Sequence, residues 1–203
     1  SLHKDLFARP AVQEQISLTP STNQAPGQTK SLDRRDEVAK TMIDLLGTAN
    51  IGPEVTHEAL IALGRCGKVA PDAGGVSIAS KFLLNSKVQI TEAAVTSIAA
   101  QGSSQSLLLL RDLLLETRKG KALVGSTRVP LRLRAFAAYG IGIACTNDIP
   151  QAMRTFGAQT LVEVLRTRAQ RSSDLASACV LALSVIPLPD MPPSEDPEGQ
   201  LEL

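Results

Sequence analysis

The chain has 203 residues, 43 % of them apolar, enough for one domain of ordinary size or for a segment of an elongated repeat protein. Alanine (25) and leucine (28) make up about a quarter of it while Phe, Tyr and Trp total five, which argues against a sandwich or barrel and for helices. A formal charge of +1 excludes both a uniformly basic nucleic-acid binder and a uniformly acidic chain.

Residues 1–30 hold Pro10, Pro20, Pro26, Gly27 and the polar string 21–30, and are expected to be extended or poorly ordered because they carry too little apolar surface to fold alone. The folded body is expected over 31–186. Helical apolar period and short breaks predict eight helices there. The first runs from near Asp33 to Leu46, and the second opens at Gly52-Pro53-Glu54, with proline in the first turn and an acid beside it, and closes at Gly67. A third spans about 76–84 and a fourth 88–101, after which Gly102 stops the chain and Ser103 or Ser104 caps the next. The fifth, 106–117, has seven leucines in the nine positions 107–115. A basic loop, 118–128, leads to a sixth helix over about 130–145. Asp148 and Pro150 restart the chain for a seventh, to about Arg168, and Ser172 or Ser173 caps an eighth that ends at Val185. Residues 187–203, with Pro187, Pro189, Pro192, Pro193 and Pro197 and five acids against no base, read as an acidic tail or linker.

The second, fourth, sixth and eighth helices repeat one another. Shifts of 35, 76 and 120 residues align Val55, Ile90, Leu131 and Leu175 as a large column, then Ala59, Ala94, Ala135 and Cys179 as a small one. Leu60, Val95, Phe136, Val180 follow, then Ala62, Ser97, Ala138, Ala182, then Leu63, Ile98, Tyr139, Leu183, and finally Gly64, Ala99, Gly140, Ser184. Small residues on successive turns allow close helix approach and large neighbours fill the groove, so all six columns are expected to be buried between stacked hairpins.

The segments Glu54-Val55-Thr56-His57-Glu58-Ala59-Leu60-Ile61-Ala62-Leu63-Gly64 and Arg134-Ala135-Phe136-Ala137-Ala138-Tyr139-Gly140 resemble the second helix of HEAT-like repeats of the phycobilisome-lyase type, with an alanine-rich turn and a terminal Ala-Leu-Gly. The resemblance covers roughly residues 36–186. It implies an all-α fold, an α-solenoid of about four hairpins, and the roles such stacks fill, namely scaffolds, adaptors and recognition surfaces.

Catalytic templates are not found. The di-iron hydroxylases among HEAT-like proteins would need several His-Glu pairs at equivalent positions, but His57-Glu58 is matched by Glu92, Leu133 and Ser177. There is no nucleophile elbow, Walker loop or dinucleotide glycine pattern, and Gly140-x-Gly142 reads as close packing. The three cysteines, Cys66, Cys145 and Cys179, sit in apolar helical patterns and read as buried thiols. No cofactor and no metal is expected. No apolar run reaches the roughly 18–20 residues of a membrane span. Arg111, on a leucine stripe, is expected to bridge an acid or helix-end carbonyl of the adjoining repeat.

Charge distribution supplies the functional lead. From Thr117 to Asp174 ten basic residues stand against three acidic ones, a net +7 in a chain whose remainder is −6. Arg118, Lys119, Lys121, Arg128, Arg132 and Arg134 precede any acid, in an unusually long inter-helix segment. The expectation is a non-catalytic adaptor that binds a protein partner, an acidic one, through these six residues. Two alternatives are a lyase-like or enzyme-subunit protein with a small ligand in the solenoid concavity, and a nucleic-acid binder using the basic third and fourth repeats. The scarcity of aromatic residues disfavours the last, because stacking on bases is worth roughly 1–3 kcal/mol each.

Overall fold

The computed structural model describes residues 26–66, 74–167 and 172–187, with side-chain environments from residue 34 onward. Among them are nine helices and no strand: α1 (Pro26–Gly47), α2 (Pro53–Arg65), α3 (Gly75–Lys81, continued by a 3-10 turn Phe82–Leu84), α4 (Val88–Gln101), α5 (Ser104–Leu114), α6 (Arg118–Leu123), α7 (Leu131–Thr146), α8 (Gln151–Thr167) and α9 (Ser173–Val185). No helix of the described residues is long and apolar enough to cross a membrane. The expectations for residues 1–25 and 188–203 lie outside the described residues.

Local chemistry explains most boundaries. Pro53 and Glu54 occupy the first turn of α2, and Gly102, with φ of 55°, ends α4 in the left-handed conformation glycine adopts without strain. The hydroxyls of Ser103 and Ser172 accept the N–H of Ser106 and Leu175, capping α5 and α9. Three boundaries differ from expectation, one of them the end of α5, which stops at Leu114 rather than at 117. Helix α1 starts at Pro26, so residues 26–30 belong to a helix. The basic segment is no loop at its start, because Glu116 turns the chain with φ of 51° and the Thr117 hydroxyl then accepts the Gly120 N–H, opening α6.

Helix α2 packs on α1 and α4, α4 also on α3, α5 and α7, and α7 on α4, α5, α8 and α9. The helices of the repeat columns therefore touch in chain order, α2 to α4 to α7 to α9. The burial of α7 corrects the expected register. Ala59, Ala94 and Cys179 are buried as expected, but Leu131 and Tyr139 are exposed and Ala135 only half-buried. The buried face of α7 is Leu133, Ala137, Ile141 and Ala144, which matches Ile90, Ala94, Ile98 and Gln101 of α4 at 43 residues rather than 41. Of the six α7 members of the expected columns, Ala138 and Gly140 are buried as expected, and matching by size drew in Leu131 and Tyr139, which have the bulk of core residues but face solvent. Val55, Val180 and Ser184 are exposed as well, so those members of the columns are not inter-helix residues.

The small residues do bring helices together. A Cβ on Gly142 would lie 2.9 Å from both the Cα and the carbonyl oxygen of Ala182, placing α7 and α9 in backbone contact. All three cysteines are buried and unbridged. Burial raises their thiol pKa values, to about 11 for Cys145 and for Cys179, so they are protonated at neutral pH.

Candidate functional site

The segment from α6 to the first turn of α7 crosses from the end of α5 toward the start of α4. Gly120 lies directly beneath the Asp112 carbonyl, where a Cβ would sit 2.0 Å from the oxygen, so α6 is pressed against α5. Its far end turns back through Gly125 N–H to the Ala122 carbonyl and Ser126 N–H to the Lys121 carbonyl. The loop then rests against Leu84, 3.0 Å from the position of a Cβ on Gly125.

Between this loop and the turn that precedes α4 runs a half-open groove of about 250 Å³. Leu83, Val88, Val124, Pro130 and Leu133 supply its apolar lining, and Arg132 and Glu92 its charged one. Val88, 58 % exposed, lines it, and the exposed Leu84 (62 %) and Leu131 (46 %) are chain neighbours of its lining residues Leu83 and Pro130. Exposed aliphatic groups concentrated at one concavity mark a contact surface more strongly than the same groups scattered singly.

The six expected partner-binding residues divide. Arg118, Lys119 and Arg128 are exposed and Lys121 partly so. None of these four forms an ion pair among the described residues. Arg132 is exposed but holds both carboxylate oxygens of Glu92, the second at 3.2 Å, and thereby ties α7 to α4 across the groove. Arg134 is turned inward. Its side chain is 11 % exposed, donates from Nε to the Leu114 carbonyl at 2.9 Å and from Nη1 to Glu116 at 2.9 Å, and so closes the C-terminus of α5. It is a structural residue rather than part of the exposed patch.

Two further arginines cap or stack. Arg154 donates to the carbonyls of Cys145 and Asn147, closing α7. Arg111 reaches neither an acid nor a helix end of the adjoining repeat. Its guanidinium lies 5.5 Å from the centroid of the Phe156 ring on α8 and 3.5 Å from its own neighbour Asp112.

Lys87, at the N-cap of α4, was not singled out by the sequence reading, which took cations only from the dense run after Thr117. The signal was the pair Leu84 and Val88 on either side of an Asn-Ser turn, apolar residues outside any helical period. Lys87 also borders a cavity lined by Glu54, His57 and Glu58, in which His57 Nδ1 is 3.0 Å from Glu58. Among the described residues no three His, Cys, Asp or Glu side chains are grouped as a metal site would require. A more open cavity of about 380 Å³ on the α1–α2 hairpin is lined by Arg34, Arg35 and Arg65 over Val38, Ile61 and Ala62.

In comparisons with known proteins, no family model, no curated protein and no solved structure matches the chain.

Proposed function

We propose that the chain is a non-catalytic adaptor, an α-solenoid of four HEAT-like hairpins that binds a protein partner through the edge formed by α6 and the loop to α7. The hairpins of this reading are α1–α2, α3–α4, α5–α7 and α8–α9. Two features support it: the repeat helices touch in chain order, and the buried Ile90, Ala94 and Ile98 of α4 recur in α7 as the buried Leu133, Ala137 and Ile141. A stack in which each unit contacts mainly its neighbours leaves long faces free for partners. The observation that carries the binding role is the set Arg118, Lys119, Lys121 and Arg128, exposed or partly exposed cations that satisfy no acid of the described fold, the last of which lies between two residues lining an apolar groove. Singly, exposed charges add roughly 0–1 kcal/mol, so together they act chiefly on the rate of encounter with an acidic partner and lose effect as salt rises.

The test is affinity capture from the native source, followed by association kinetics of each identified partner with the full chain and with Lys119→Glu/Lys121→Glu/Arg128→Glu. The triple reversal slows association and flattens its salt dependence while helical content is unchanged. An unaltered rate and salt dependence would place the docking surface elsewhere.

A further inference from the structure

The groove between α4 and α7 combines three properties. Its lining is aliphatic, with Leu83 and Leu133 buried at the floor and Val88 presented to solvent. Two exposed cations flank its lining: Lys87 lies between the lining residues Ser86 and Val88, where it also borders the cavity of Glu54, His57 and Glu58, and Arg128 lies between the lining residues Ser126 and Pro130, while Arg132 lines the groove itself in an ion pair with Glu92. Lastly, two long helices begin there. Neither α4 nor α7 has a capping side chain or an acid in its first turn, so the positive dipole ends of both remain for an outside acceptor, beside the Ile90 N–H that already donates to the Lys87 carbonyl and the Val129 N–H, just before α7, that donates to Glu116.

We propose that this groove docks an acidic segment of a partner protein that carries a large aliphatic anchor. The anchor, a Leu, Ile or Met side chain, enters between Val88, Val124 and Leu133, in a space of about 250 Å³ that suits one or two such side chains. Carboxylates on either side of it meet Lys87 and Arg128, and the first turns of α4 and α7. Charge sign selects the partner class. A basic or neutral segment would bring the same apolar contact but would gain nothing at the rim, and a nucleic acid would have no use for the aliphatic floor. The inference rests on the adaptor reading and adds to it the chemistry of the partner.

A library of random peptides of about twelve residues, displayed on phage, is selected against the full chain. The enriched peptides are then synthesised and titrated by fluorescence anisotropy against the chain and three variants. Val88→Asp alters an exposed groove residue, Lys87→Glu/Arg128→Glu reverses the rim, and Lys119→Glu/Lys121→Glu reverses α6 alone. The expected result is peptides of net negative charge with at least one large aliphatic residue, each weakened roughly tenfold or more by the first two variants, with circular dichroism and melting unchanged. Enriched peptides that are neutral or basic overturn the proposal. So do peptides that bind the groove variants as they bind the parent. Should those peptides fail only on the α6 variant, the groove is excluded while the adaptor reading stands, and a library that yields no binder counts against both.

Discussion

At Gly142 and Gly47 the same substitution has opposite consequences. Alanine favours a helix over glycine by about 1 kcal/mol through the lost backbone entropy of glycine. A Cβ at Gly47 would meet nothing within 4 Å, so Gly47→Ala is expected to raise stability by up to about that amount. At Gly142 the Cβ would press on backbone atoms of Ala182, which cannot swing aside as a side chain can. Overpacking of this kind costs about 1–3 kcal/mol and outweighs the gain in propensity, so Gly142→Ala lowers the urea midpoint. The cysteines give a second prediction at this scale. Burial lifts the pKa of Cys145 and Cys179 from 9.0 to about 11, so the native state binds more protons than the unfolded chain between those values. Stability is therefore fully present below pH 9 and falls as pH climbs toward 11. Urea midpoints at pH 8 and near pH 10.5 measure the drop, which is smaller in Cys145→Ala/Cys179→Ala; an equal drop in that variant would assign it to other groups.

Among the elements, what the sequence made legible was local and what it hid was directional. Gly102, Pro53, Ser103 and Ser172 mark boundaries because their effects are confined to one turn, and four of the helix ends follow from them. Helix α6 escaped because its start depends on a left-handed Glu116 and its residues, Arg-Lys-Gly-Lys, show no apolar period. The register of α7 was displaced by two residues for a different reason. Leu131 and Tyr139 have the size of core residues yet face solvent, and the packed face is built from Ala137, Gly140, Gly142 and Ala144, whose value lies in closeness rather than bulk. Burial side follows from where the neighbouring helices lie, which a single helix does not encode. The candidate site was legible as a charge run but not as a shape. Arg134 and Arg132 stand two residues apart, and only the fold shows that one closes α5 from within while the other bridges Glu92 at the surface.

In the molecule as a whole, contacts are unevenly shared. Helices α4 and α7 each pack on four others, whereas α1 touches α2 and α3 and α9 touches α7 and α8. The described part of α1 buries only Ala39 and Leu46 completely enough to count as core. In a chain whose elements meet mainly their neighbours, opening one end breaks a single interface, while opening the middle breaks two. Amide hydrogen exchange on the full chain should therefore be slowest around Ile98 and Ile141, faster in α9 and fastest in α1. Gly142→Ala should sharpen the contrast, because it loosens the α7–α9 contact and leaves α4 against α7 untouched, so that protection falls in α9 first. Protection that is uniform from α1 to α9, and that falls uniformly in the variant, would show that the helices open as one cooperative unit and that the repeat reading of the stack is wrong.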